Sequence, residues 1–190
     1  MRAERGLSRL RILGIDPGTV RLGYGMIECH GPARVTYVEC GTITARARDE
    51  RPARLAEIGR GLRELLGDLK PDAVAMEEAF FGKNVQSTLA LGEARGVAMF
   101  VIGDQGLTVT GYAPATVKRT VVGHGRATKD QIAYLVRALL SMRRLPSADA
   151  ADALAIAICH ARRGMGPALV TKTATATATA AATARGRAVR

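Results

Sequence analysis

The chain has 190 residues, with 28 lysines and arginines against 17 aspartates and glutamates and a formal charge of +11; that length fits one domain with a sizeable core, or a domain of about 160 residues plus a tail. Three well-separated cysteines with no Cys-x-x-Cys pair argue against a zinc knuckle or a disulfide framework. No apolar run is long enough to span a bilayer and the charged start Met-Arg-Ala-Glu-Arg has no secretory pattern, so a reducing cytoplasm is the expected home.

The charge is unevenly spread. Residues 1–11 carry four arginines against Glu4, and residues 162–190 carry six basic residues and no acid. Between these ends 18 basic residues face 16 acidic ones, so the overall charge says little about a core binding surface. Within the core, however, residues 118–144 hold Lys118, Arg119, Arg126, Lys129, Arg137, Arg143 and Arg144 against Asp130 alone. Such a stretch points to a polyanion, with an ordinary solvated helix face as the alternative.

In chain order, residues 1–9 form a basic extension. Residues 10–16 (LRILGID) are a short apolar run ended by Pro17-Gly18, the pattern of a buried strand and turn. Residues 22–29 and 34–44 are rich in Val, Ile, Tyr and Thr around His30-Gly31-Pro32, which predicts three consecutive strands in antiparallel hairpins. Leu55, Ile58, Leu62, Leu65, Leu66 and Leu69 recur at helical spacing after Pro52, giving an amphipathic helix over 52–69. Pro71-Asp72 opens a strand over 73–77. A second helix spans 84–102, a fifth strand 107–112 ended by Pro114, a third helix 128–142 and a fourth 149–162. The order β-β-β-α-β-α-β-α-α implies an α/β fold, a mixed five-stranded sheet with helices on both faces. The domain closes near residue 166. From Thr171 the text becomes Thr-Ala repeats that cannot bury enough surface to offset chain entropy, so 167–190 is read as a disordered basic tail.

Four carboxylates are lodged in this apolar text. Asp16 ends Ile-Leu-Gly-Ile, Glu77 ends Ala-Val-Ala-Met, and Asp149 and Asp152 sit in a segment that otherwise reads as a buried helix. Charged groups are rarely buried unless paired or bound to metal, so convergence on a cation would offset their desolvation. Oxygen-only ligands select a hard ion, Mg2+ or Mn2+. Each acid also has a plainer reading: Asp16 as a turn capping backbone N–H groups, Asp149 as a helix cap. Glu77 is followed by Glu78, and strand alternation favours Glu77, which shares a face with residues 73 and 75. Asp149 and Asp152, spaced i, i+3, lie on one helical face. Gly14 and Gly18 are read as freeing the backbone to turn and keeping the site open. Aromatic residues are only 4% of the chain, which sets Phe80-Phe81 apart: one ring is expected in the core and the other against a base or duplex step.

Together GIDPGTVRLGYG, AMEEAFFGKNVQSTLALGEARGVAM, YAPATVKRTVVGHGRATKDQI and ADAADALAIAICHA closely resemble the RuvC family of bacterial crossover (Holliday) junction endodeoxyribonucleases, over about residues 10–162. The resemblance implies a ribonuclease-H-like fold and paired symmetric nicking of four-way DNA junctions in recombination and repair. It implies that Asp16, Glu77, Asp149 and Asp152 are the metal-binding catalytic acids. Relatives vary at the position of Asp149, where some carry His. Phe80 matches an aromatic that meets bases at the junction centre, Lys83 and Asn84 the loop after it, and Lys118 and Lys129 basic residues near the scissile strand. Arg119 and Arg126 would add backbone contacts. Two Mg2+ ions per subunit, replaceable by Mn2+, would activate water and stabilise the departing 3′ oxygen, leaving a 5′ phosphate, with Lys129 neutralising charge on the phosphate. A junction's twofold symmetry asks for a homodimer. Gly92 and Gly96 on the second helix form a small-xxx-small ridge that fits either a dimer contact or packing on the sheet; relatives dimerise through this helix. The resemblance also implies work beside the RuvA–RuvB branch-migration complex. The alternatives are an actin-like ATPase or kinase domain, from the Asp-Pro-Gly-Thr turn, and a non-catalytic junction-binding module. Tight ATP binding would favour the first and a metal-independent footprint without nicking the second.

Overall fold

The computed structural model describes residues 9–30, 34–78 and 85–164. Its elements run β1 (Leu10–Asp16), β2 (Arg21–Cys29), β3 (Val35–Thr44), α1 (Arg51–Leu69), β4 (Ala73–Glu77), α2 (Val85–Asp104), β5 (Val109–Tyr112), α3 (Pro114–Val122), α4 (Lys129–Leu139) and α5 (Ala148–Gly164). The expected order holds, with one addition. Pro114 does end the fifth strand, but it also opens α3, where its fixed φ and missing N–H suit the first turn of a helix. Val117 and Val121 bury one side of α3 at i, i+4 spacing. Residues 1–8, 31–33, 79–84 and 165–190 lie outside the described residues, and with them the expectations for Phe80, Phe81, Lys83, Asn84 and the tail.

The sheet order is β3-β2-β1-β4-β5. The first three strands are antiparallel, while β4 joins β1 and β5 joins β4 in parallel, which is the mixed sheet expected. The start of β4 is pinned to β1 by a reciprocal pair: the Asp72 amide donates to the Arg11 carbonyl at 2.9 Å, and the Arg11 amide donates to Asp72 Oδ2 at 2.7 Å. That pair sets the register Ile12–Ala73 through Ile15–Met76.

Alternation along the strands divides two cores. Leu13, Ile15, Leu22, Met26, Val74 and Met76 face α1 and α2. Ile12, Ile27 and Ala75 face α5, which is itself covered by α3 and α4. Every residue of α5 from Ala153 to Ala161 is buried, as expected of a helix apolar all round and enclosed between two layers.

The seat of α5 is made of glycine. A Cβ on Gly14 would be driven into the Ala153 carbonyl oxygen and lie 2.7 Å from the Ala157 amide nitrogen; one on Gly23 would lie 2.6 Å from the Asp149 carbonyl carbon; one on Gly25 would lie 2.6 Å from Leu154 Cγ. Gly14 and Gly25 are cross-strand partners, and Gly23 is the partner of Asp16. Helix backbone therefore rests almost on sheet backbone beside Asp16. This corrects the reading of Gly14 as a turn residue: it lies within β1 at negative φ, and close approach is what excludes a side chain there. Gly18 is likewise at negative φ, its Cβ direction filled by the Arg21 carbonyl.

Candidate active site

Two strand ends and one helix bring the acids together. Asp16 is the last residue of β1 and points to the α5 side, in step with Ile12 and Gly14. Glu77 is the last residue of β4 and follows Ala73 and Ala75 onto the same side. Since β1 and β4 are parallel and paired through Ile15–Met76, these two carboxylates fall on neighbouring strand ends. Helix α5 crosses above them, its first turns carrying Asp149 and Asp152. Glu78 projects the other way, its side chain lying against Gly111 of β5, as alternation predicts.

Asp16, Glu77 and Asp152 line an open cleft of about 220 Å³ with Lys118, Lys129, Pro114, Val117, Ile132 and Ala155. Asp149 is not part of that lining, although its charge reaches Asp16 and Lys129. Burial, then the charges of Asp152, Glu77 and Asp149, push the Asp16 carboxyl up from its ordinary value to about 7. Burial and Asp152 likewise raise Glu77, while Lys118 and Lys129 oppose the rise. Crowded, desolvated carboxylates of this kind are an electrostatic strain that a divalent cation would relieve. The donor set fits a hard ion. Yet among the described residues no three carboxylates, cysteines or histidines are drawn into a ready-made metal-ligating group: Asp16, Glu77 and Asp152 share a cleft without converging on one point, and Asp149 stands outside its lining.

The cations have their own supports. Lys129 is the first residue of α4, whose start is fixed by a capping box: Thr128 Oγ1 accepts from the Gln131 amide at 3.3 Å, and Gln131 Oε1 accepts from the Thr128 amide at 2.9 Å. An ammonium at a helix N-terminus opposes the helix dipole, and the acids across the cleft offset that conflict. Lys129 Nζ donates to Asp152 Oδ2 at 3.3 Å, and Asp152 is the main reason the Lys129 ammonium titrates above its usual value. Lys118 reaches the cleft from α3, the helix that the sequence reading passed over. Arg119 and Arg126 are exposed and stand outside the cleft lining.

Two contributors were not foreseen. Arg95, a cation inside the largely apolar text of α2, donates from its guanidinium to the backbone carbonyl of Glu77. Tyr112, the cross-strand partner of Glu77, shares a buried 2.9 Å hydrogen bond with His160 Nδ1 and so ties the end of β5 to α5. An arginine among alanines and glycines was a visible signal for the first. The second joins residues 48 apart and had none.

Among the described residues no helix is long and apolar enough to cross a membrane. The family profile described as "Crossover junction endodeoxyribonuclease RuvC" matches residues 12–160. The chain is 48% identical over 163 residues to the protein so described from Azorhizobium caulinodans, covering 86% of this chain and 95% of that one. It is 47% identical over 174 residues to that of a Bradyrhizobium species, covering 90% and 98%. Among solved structures, Thermus thermophilus RuvC in complex with Holliday junction substrate superposes with a TM-score of 0.75 at 32% identity, covering 82% of this chain and 96% of that one. The yeast mitochondrial Holliday junction resolvase Ydc2 shares the fold with a TM-score of 0.56 at 16% identity, covering 80% of this chain and 79% of that one. The sheet order, the ribonuclease-H-like architecture and the sequence agreement lead to one conclusion: the chain belongs to the RuvC family of crossover junction endodeoxyribonucleases, the Holliday junction resolvases.

Proposed function

We propose that the enzyme resolves four-way DNA junctions by metal-dependent hydrolysis of two symmetry-related phosphodiesters, leaving 5′-phosphate and 3′-hydroxyl ends, with Asp16, Glu77, Asp152 and Asp149 as the metal-holding acids. The observation that carries this reading is the shared cleft of Asp16, Glu77 and Asp152, walled by Lys118 and Lys129. Mg2+, or Mn2+ in its place, supplies Lewis acidity there, lowering the pKa of water and offsetting charge on phosphate oxygens, with two ions per subunit as the expected loading. Asp16 and Glu77 hold the floor of the site from rigid strand ends, and Asp152 closes it from above. Lys129 donates to the phosphate as negative charge grows on it. Lys118, Arg119 and Arg126 grip the DNA backbone and give binding its salt dependence. The resemblance supports Phe80, Lys83 and Asn84 as further DNA contacts.

A homodimer is supported by the outer face of α2. Val85, Leu89, Met99 and Phe100 are exposed on the side opposite the buried Ala94, Ala98 and Val101. A Cβ on Gly92 or Gly96, on that outer side, would meet nothing within 4 Å. The glycines are thus not used for packing on the sheet, and a second copy across a twofold axis would cover the face. The family resemblance is what supports the RuvA–RuvB complex as a partner, and a cytoplasmic site of action.

The test is incubation of a synthetic four-way junction with purified protein, with and without Mg2+. Paired symmetric nicks that ligase reseals, absent without metal and absent for Asp16→Asn despite retained junction binding, are the expected result. Nicking retained by Asp16→Asn would overturn the assignment.

A further inference from the structure

The ladder between β1 and β4 stops at the Ile15–Met76 pair, one residue short of the two strand-end acids. On its other side β4 stays joined to β5: Glu77 is paired with Tyr112, and the Glu78 amide donates to the Tyr112 carbonyl at 2.9 Å. The sheet therefore forks at the active site, and a backbone carbonyl at a fork needs a donor from elsewhere. The Glu77 carbonyl receives it from the Arg95 guanidinium, which is partly buried. Arg95 lines a second, small cleft with Asp16, Pro17, Glu77, Glu78 and Leu91, on the α2 side of the strand ends.

We infer that Arg95 is a positioning residue for cleavage: by holding the Glu77 main chain at the fork it fixes where the Glu77 carboxylate points. This inference rests on the reading of Glu77 as a metal-holding acid. The bond goes to main chain, so it consumes neither carboxylate oxygen, and Glu77 keeps both for a cation. The planar, permanently charged guanidinium of Arg95 suits the task better than a flexible ammonium. Arg95 also sits between Gly92 and Gly96, so the helix proposed to meet the second subunit is the one that holds Glu77 in place.

The test compares Arg95→Met and Arg95→Lys with the unaltered protein in three measurements: Mn2+ affinity by calorimetry without DNA, junction binding in EDTA, and single-turnover nicking against Mg2+ concentration. Loss of a group that orients a metal-holding carboxylate typically lowers metal affinity or activity by about 10- to 100-fold. Arg95→Met should show a loss of that size in Mn2+ affinity and a raised Mg2+ requirement for nicking. Junction affinity should stay within about twofold, and Arg95→Lys should recover part of the loss. A loss confined to junction affinity would make Arg95 a DNA contact and overturn the inference, as would unchanged Mn2+ affinity. An equal loss in both variants with a collapsed melting temperature would make its role merely structural and also overturn it. Failure of the unaltered protein to nick in Mg2+ would instead sink the nuclease reading, while the Mn2+ affinities would still decide the role of Arg95.

Discussion

Lys129 Nζ lies 3.3 Å from Asp152 Oδ2, an ion pair that joins the first residue of α4 to the second turn of α5 across the cleft. The ammonium stands where a divalent cation would compete for the same oxygen. Its removal should therefore have opposite effects on the two halves of the reaction. Lys129→Met leaves the acids without their counter-charge and should tighten Mn2+ binding by roughly 3- to 10-fold. It should slow nicking by about 100-fold through loss of a donor to the phosphate. Calorimetry and single-turnover kinetics read the two separately; weaker metal binding in the variant would refute the competition.

The raised Asp16 carboxyl makes a pH prediction for the metal-free protein. At pH values between 3.8 and about 7 the folded state holds a proton that the unfolded chain has released. Stability should then fall as pH rises through that window and level off above it. Asp16→Asn removes the effect, and should stabilise the metal-free protein at pH 8 by about 1–3 kcal/mol while matching it near pH 4. Urea denaturation at the two pH values checks this. Added Mg2+ should stabilise only the protein that keeps Asp16.

Gly14→Ala tests the helix seat. The new methyl would collide with backbone atoms of Ala153 and Ala157, which cannot swing aside as a side chain could. The expected cost is about 1–3 kcal/mol of stability. Because α5 carries Asp152, nicking should drop further than the folded fraction does. Full activity at the folded fraction measured by circular dichroism would show that α5 tolerates displacement.

Gly96→Arg addresses the dimer. Its Cβ direction is open, and replacing a helical glycine relieves about 0.5–1 kcal/mol of backbone entropy loss, so the subunit should stay folded. If α2 carries the proposed twofold contact, sedimentation should nevertheless move from dimer to monomer, because a long charged side chain would be forced into that apolar face. A dimer that survives the substitution would place the interface elsewhere.

Much of this was legible in the sequence because the signals were local. The apolar runs ending in Asp16 and Glu77 marked both strands, the element order marked a mixed sheet, and alternation separated Glu77 from Glu78. The leucine spacing of α1 and the alanine-rich text of α5 each named a helix. Helix α3 was hidden because Pro114 serves two elements at once and no capping side chain marks the start: Ala113 offers none. Gly14 was misread for a different reason. A glycine needed for its own torsions and one needed for a neighbour's approach look alike until the neighbour, 139 residues onward at Ala153, is in view. The Tyr112–His160 bond depends on a distant assembly of the same kind, whereas Arg95, which donates to the Glu77 carbonyl 18 residues away, at least stood out as a cation in the apolar text of α2.

The glycine seat also bears on how such an enzyme can diverge. Where two elements meet through side chains, drift in one is absorbed by repacking, and their spacing wanders. Here the spacing between Asp16 and the helix above it is set by main-chain atoms in contact, which no exchange of rotamers can lengthen or shorten. The outer layers can accordingly change composition over many generations while the reaction centre keeps its dimensions.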